Sequence, residues 1–277
     1  MSDLQPPRGT HDILPEDHRR HRQVTETALR VAGLYGYEEM STPIFEATDV
    51  FRRTLGETSD IVTKEMYTFE DRSGDKVTLR PEFTAGIARA FISGGWAQKL
   101  PLRLFCQGPL FRYERPQKGR FRQFHQVNVE LLGIAEALGD VEVISMGAHI
   151  LDALGVMDKV TLQLNTLGDT ESRQAYRKVL VEYLDGYKGE LSKDSQERLE
   201  RNPLRIFDSK DESDKKITAA APKLTDHLNA ASEKFFERVQ AGLKTAGVAY
   251  QINPALVRGL DYYCHTAFEF VTDTLGA

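Results

Sequence analysis

Only two cysteines, Cys106 and Cys264, occur in 277 residues, and they do not form a pair at metal-ligand spacing. That scarcity fits a reducing compartment better than a disulfide framework, and both thiols are expected to be free. No stretch reaches the run of about eighteen apolar residues that a membrane span requires. The opening Met1-Ser2-Asp3-Leu4-Gln5-Pro6 has no basic start followed by an apolar run. The expectation is a soluble, cytosolic protein with no membrane attachment. An excess of positive charge is also lacking: a net charge of −5 argues against a protein whose whole surface coats nucleic acid, so any such contact is local. No internal repeat or low-complexity tract is present.

What is there supports an ordinary core, because 40% of the residues are apolar and the length suffices for one large domain or two modest ones. From Glu16 to Gly36, Pro15 and early acids open a segment that places Val24, Ala28, Val31 and Tyr35 on one stripe before Gly36 ends it. The spacing predicts an amphipathic helix. Thr42-Pro43-Ile44-Phe45 reads as an extended piece at a sheet edge or an interface, since proline withholds a ladder donor. Val77 to Arg80 alternates as a strand, Pro81 interrupts it, and a short helix with Ile87 and Phe91 on one face follows from Thr84.

Three strands are expected between Leu102 and Leu132: Leu102 to Cys106, Pro109 to Arg115, and Phe121 to Leu132, the last two joined by a loop at Pro116-Gln117-Lys118-Gly119. Hairpin-linked strands imply an antiparallel sheet. A helix from Asp140 to Leu154 and a strand from Val160 to Leu164 come next. Asp169 to Val248 then turns rich in Glu, Lys, Arg and Ala, with helical runs from Ser172 to Leu184 and Leu224 to Ala246. Strand character returns at Tyr250 to Ile252 and from Leu256 to Phe270. The reading is an α+β chain in which a helical insertion, residues 169–249, interrupts a sheet domain made of residues 1–168 and 250–277.

Strand periodicity puts Leu110, Arg112 and Glu114 on one face. On the returning strand, Arg120, Arg122, Phe124, Gln126, Asn128 and Glu130 share one face, and Val127, Val129 and Leu131 the other. A polar face backed by an apolar one either meets solvent or lines a ligand site.

The string FRYERPQKGRFRQFHQ, residues 111–126, resembles motif 2 of class II aminoacyl-tRNA synthetases in its histidyl form, and LVRGLDYYCHTAFEF, residues 256–270, resembles a signature particular to histidyl-tRNA synthetases. TLRPEFT, residues 78–84, is similar to the family's TLRPEGT except at Phe83. That side chain adds bulk, and binding survives if it points away from the pocket. Weaker matches are RGTHDILP (8–15), the stretch around Pro43 that resembles motif 1, LNTLGD (164–169) and NPLRIFDSKD (202–211).

The resemblance implies the class II fold, an antiparallel sheet flanked by helices, and a ligase that joins histidine to tRNA(His) through an ATP-derived adenylate. Arg112 then matches the arginine on the ATP α-phosphate, where a planar guanidinium can grip two oxygens as negative charge builds. Glu114 lies near the adenine, Phe124 stacks on it, and Arg120 reaches the outer phosphates. Arg258 matches the catalytic arginine on the opposite side of the α-phosphate, supplying charge that a metal provides in related enzymes. Lys118 and Arg122 fit a solvent-exposed loop tip better.

An imidazole offers two ring nitrogens, so a selective pocket wants a carboxylate for one and a hydroxyl for the other. Glu130 and Tyr263 match those partners in the family. Glu82, Thr84 and Gln126 match the ligands of the substrate ammonium, Gln126 also counting among the catalytic set, with Tyr262 adjoining. Read without the resemblance, Tyr262 and Tyr263 are ordinary strand packing. Mg²⁺ is expected to travel on the ATP phosphates, no dedicated metal ligands are named, and His265 beside Cys264 is incidental. Motif 1 implies a homodimer, and the insertion closes over the tRNA acceptor stem.

The string ends at Ala277, before the motif 3 of the family, so it reads as a fragment with weak or no activity. The rival reading is a histidine-sensing regulatory subunit of ATP phosphoribosyltransferase. It ranks lower because a sensor has no need of Arg112, Glu114, Arg120 and Arg258.

Overall fold

Pro15 at the first helical position and the acids Glu16 and Asp17 in the first turn set the start of α1 (Pro15–Leu34). In the computed structural model, which describes residues 4–57, 59–257 and 263–274, the chain then runs through β1 (Glu38–Glu39), β2 (Phe45–Ala47), α2 (Thr48–Leu55), β3 (Tyr67–Glu70), β4 (Lys76–Leu79), α3 (Thr84–Ser93), β5 (Leu102–Phe111) and β6 (Gln123–Leu132). It continues through α4 (Ala137–Ala153), β7 (Thr161–Thr166), α5 (Thr170–Asp185), α6 (Lys193–Arg201), α7 (Glu212–Ala219), α8 (Ala230–Thr245), β8 (Gln251–Ile252) and β9 (Thr266–Val271). Two compact units result. One comprises residues up to 135 with Met146–Asp158, and the other Glu136–Ser145 with Lys159–Thr274. Among the described residues no helix is long and apolar enough to cross a membrane.

In the first unit the strands form two sheets, ordered β1-β5-β6 and β2-β4-β3, antiparallel except where β1 runs parallel to β5. β2 is an edge strand, in line with the extended edge piece expected around Pro43. The β5 and β6 hairpin organises two cores, one on each face. Phe105 packs with Ala28, Val31 and Met146, joined by Val127, Val129 and Leu131. On the other face Leu104, Cys106 and Leu110 pack with Phe83 and Ile87, joined by Phe124 and Leu132. The alternation expected of β6 is therefore realised. The stripe on α1 is shorter than its sequence suggests. Val24 is 42% exposed, because the layer built on Phe105 and Met146 meets only the C-terminal half of the helix.

Residues 102–111 form one strand where the sequence suggested a break at Gln107-Gly108. Gly108 takes φ +143°, which costs glycine little, and pairs with Gln126 while Pro109 pairs with His125, so the ladder passes straight through. A Cβ there would lie 2.8 Å from the Arg80 guanidinium. The returning strand starts at Gln123, two residues later than expected.

In the second unit β7 is flanked by β8, parallel, and β9, antiparallel. Tyr176, Leu180, Leu184, Leu199, Ile206 and Ile217 make the core of its helical part. The run from Leu224 to Ala246 is not one helix. A short 3₁₀ turn at Leu224–His227 is followed by α8, because Asn229 leaves the helical region and accepts the Ser232 N–H with its side chain. The final strand begins at Thr266 and not at Leu256. Asn253 to Leu256 turns instead, with the Leu256 N–H donating to the Asn253 carbonyl at 3.0 Å.

Candidate active site

The segment between β4 and α3 is built around an acid that caps a helix. Pro81 cannot extend the strand ladder, and the carboxylate of Glu82, only 7% exposed, accepts the N–H groups of Thr84 and Ala85, each at 2.7 Å. Two of the donors left over at the start of α3 are satisfied, and a negative charge sits at the positive end of the helix. Arg80, buried just before the turn, donates from Nε to the Pro109 carbonyl at 3.0 Å and from Nη1 to the Thr42 carbonyl at 2.9 Å. Its guanidinium lies 4.6 Å from the ring of Phe83, which is 2% exposed and belongs to the apolar core. The bulk added at Phe83 thus enters the core beneath the hairpin.

Thr84 donates its hydroxyl to Oε1 of Glu130 at 2.5 Å, and Asn128 donates to the same oxygen from Nδ2 at 3.2 Å. Glu130 stands opposite Leu104 in the ladder, so it projects from the face that carries the Phe83 core. Burial pushes both carboxyls up from the ordinary range. For Glu82 the nearby Glu130 charge adds to the rise, against the pull of the Ala85 and Thr84 hydrogen bonds. The Cys106 thiol is raised to about 11, first by burial and then by Glu130. Among the described residues neither glutamate forms an ion pair. Two desolvated carboxylates side by side are costly unless a cation joins them.

The cationic groups lie further along the same hairpin. Arg112 donates from Nε to the carbonyl of Pro81 at 2.9 Å, next to the capping glutamate, and its guanidinium lies 5.2 Å from the Phe124 ring. Glu114 receives Arg120 at 3.0 Å and has Arg112 at 4.0 Å. The structure therefore brings together Glu82, Thr84 and Glu130, and beside them Arg112, Glu114, Arg120 and Phe124. Gln126 shares their face and is exposed.

Arg122 is not the solvent tip its sequence context suggested. Its guanidinium lies 3.7 Å from the Tyr113 ring, its Nε donates to the Glu114 carbonyl at 3.1 Å, and its N–H donates to the Gly9 carbonyl at 2.7 Å. It ties both arms of the 112–122 loop to the N-terminal segment. Asn128 and Arg80 were also missed as site-supporting residues. Asn128 could have been found from its place between Gln126 and Glu130 on the polar face.

Tyr263 belongs to the second unit, where its ring packs against the buried Leu167, Leu256 and Ala267. Arg258 and Tyr262 lie outside the described residues.

Activating an amino acid requires an anionic seat for its ammonium within reach of guanidiniums that can hold a nucleotide phosphate. A hairpin that sets two desolvated carboxylates and an arginine–glutamate arm on one face has groups of both kinds, as an aminoacyl-tRNA synthetase of class II requires. Residues 9–277 match the family model described as histidyl-tRNA synthetase. The chain belongs to the histidyl-tRNA synthetase family. A relative named histidine–tRNA ligase from Rhodospirillum rubrum is 64% identical over 277 residues, covering 100% of this chain and 67% of that protein. One from Rickettsia bellii is 54% identical over 274 residues, covering 99% and 66%. The structure of apo histidyl-tRNA synthetase from S. aureus aligns with a TM-score of 0.75 at 38% identity, covering 96% of this chain and 61% of that one. The chain thus spans about two thirds of the length of these relatives.

Proposed function

We propose that the full-length protein activates histidine with MgATP to histidyl-adenylate and transfers it to tRNA(His). The observation that carries this is the pair of desolvated carboxylates, Glu82 and Glu130, which have no ion pair among the described residues, with Arg112 held on the Pro81 carbonyl next to Glu82. In this reading Glu82, Thr84 and Gln126 take the histidine ammonium, while Glu130 and Tyr263 take the imidazole nitrogens with Tyr262 adjoining. Arg112 and Arg258 grip the α-phosphate, and Arg120 reaches the outer phosphates. Glu114 and Phe124 hold the adenine. Guanidiniums fixed in advance favour the charge that develops as the carboxylate attacks, more than they favour bound ATP.

Selectivity follows from the same polar groups. An amino acid without two ring nitrogens would leave Glu130 and its partners buried and unpaired, a penalty of the kind that rejects analogues by roughly 10⁴ to 10⁵. The domain reading continues as part of the proposal: residues 169–249 are an insertion that meets the acceptor stem, and residues 1–168 with 250–277 are the catalytic core. Ile44 (46% exposed) and Phe45 (56% exposed), at and just before an edge strand, support a homodimer. The absence of a membrane-crossing helix among the described residues fits a cytoplasmic protein.

Relatives named as histidine–tRNA ligases at 54–64% identity support ligation over histidine sensing. A solved structure named both as an ATP phosphoribosyltransferase regulatory subunit and as a histidyl-tRNA synthetase is 23% identical, and that likeness shows the fold alone. Charging of tRNA(His) by the full-length protein tests the proposal. Histidine should be esterified to tRNA(His) in an ATP-dependent way. Tight histidine binding with no charging would overturn ligation and leave a sensor.

A further inference from the structure

We propose that Arg173 and Phe235, on the first and last helices of the stretch between β7 and β8, are positioning residues that set where Tyr263 stands. The inference rests on the reading of Tyr263 as a contact of the histidine imidazole.

The last rung between β7 and β9 pairs Thr166 with Thr266, so the ladder ends before Tyr263 is reached. Beyond it the backbone is held by a reciprocal pair: the Leu167 N–H donates to the His265 carbonyl at 2.6 Å and the His265 N–H donates to the Gly168 carbonyl at 2.8 Å. His265 occupies the left-handed region at φ +52°, which a residue with a Cβ keeps only where its surroundings hold it. Its ring stacks on Phe235 of α8, with centroids 4.2 Å apart and planes within 20°. Two residues earlier, Arg173 in the first turn of α5 donates from Nη1 to the Tyr263 carbonyl at 2.5 Å. A guanidinium on that carbonyl fixes the peptide plane following Tyr263, and the stack fixes His265, two residues further on.

Both helices start from one polar knot. Asp169 accepts the Ser172 N–H and the Asn229 Nδ2 group, each at 2.8 Å. The Asp169 N–H donates to Ser232 Oγ at 3.1 Å, and Asn229 accepts the Ser232 N–H at 2.9 Å. Gly168 is held to glycine there by φ +61° and by Ser172, whose Cβ would meet an added Cβ at 2.7 Å. The helices are thus anchored to each other at their N-termini, and each reaches out to residues 263–265. Where the Tyr263 ring lies against Leu167, Leu256 and Ala267 is accordingly decided by α5 and α8 as well as by β9, which begins three residues later. Any partner that shifts these helices will alter histidine affinity.

The test is ATP–pyrophosphate exchange with the full-length protein carrying R173A, R173K, F235A, Y263F or R173A/Y263F, each checked for a native melting transition. Y263F should raise the KM for histidine. R173A and F235A should raise it about tenfold while leaving the KM for ATP within about twofold, a hydrogen bond to a charged group being worth a decade or more. R173K should recover part of the loss, and the double variant should be no worse than the more impaired single one. If Y263F raises the KM but R173A and F235A do not, this inference fails and the reading of Tyr263 stands. If Y263F has no effect, both fail. A parallel rise in both KM values, or additive losses in the double variant, would show that Arg173 acts on the fold generally and not through Tyr263.

Discussion

Thr84 and Glu130, 46 positions apart in the chain, are joined by a hydroxyl–carboxylate hydrogen bond of 2.5 Å that ties the first residue of α3 to β6. Because Glu82 caps the same helix, one short bond places two acids side by side. Replacing Glu130 by glutamine keeps the shape and a carbonyl for Thr84 but removes the charge. E130Q should raise the KM for histidine by roughly 10- to 150-fold, the equivalent of about 1.5–3 kcal/mol, and leave the KM for ATP nearly unchanged. Steady-state exchange kinetics decide it, and an unaltered histidine KM would remove Glu130 from the pocket.

The two acids also make a statement about pH. Both carboxyls are raised in the folded state, chiefly by burial, so between the unfolded value near 4.5 and the raised ones the native state binds more protons than the unfolded state. Stability should therefore fall as pH rises through that interval and stay lower above it. In E82Q/E130Q this component should vanish, and urea midpoints measured upward from pH 4 should decline less than in the parent. Identical profiles would show that the pair does not resist ionisation.

Asp169 runs the other way. Its carboxyl is held at about 2, first by the Ser172 N–H and then by Asn229. Its contribution is complete above the unfolded value of 3.8 and is lost as pH falls from there toward 2. D169A should destabilise by about 1 kcal/mol near neutrality, the usual size of a helix cap, and the gap to the parent should close in that acid window. A gap that persists undiminished at pH 2 would mean that the charge plays no part.

Much of this frame was legible from residue order because local chemistry and tertiary packing agree. α1 follows from its proline, acids and stripe, and the turn from β4 into α3 follows from Pro81. The two-faced β6 follows from alternation alone, confirmed by Val127 and Val129 on one core and Phe124 on the other. The misreadings share a cause. Gln107-Gly108 ahead of Pro109 reads as a break between strands, yet nothing local reveals that Arg80 fills the space a side chain at Gly108 would take or that β6 continues alongside. The break before α8 depends on Asn229 capping in place of Leu224 to Leu228 staying helical, a contest decided by contacts to Asp169 from across the fold. Likewise the core position of Phe83 and the bracing by Arg122 depend on partners such as Leu104 and Gly9, which no periodicity connects to them.

Arg258 is proposed to act on charge that develops only during reaction. R258A in the full-length protein should lower kcat for adenylate formation by about 10² to 10³ while the KM for histidine moves little. Single-turnover formation of the adenylate measures this. Equal losses in turnover and affinity would make Arg258 a binding residue only.

The most direct test of the central claim is amino-acid-dependent ATP–pyrophosphate exchange by the full-length protein across the standard amino acids. Histidine alone should support robust exchange, because in the proposed reading only its ammonium and imidazole together satisfy Glu82, Thr84 and Glu130. Robust exchange with another amino acid and none with histidine would contradict the account.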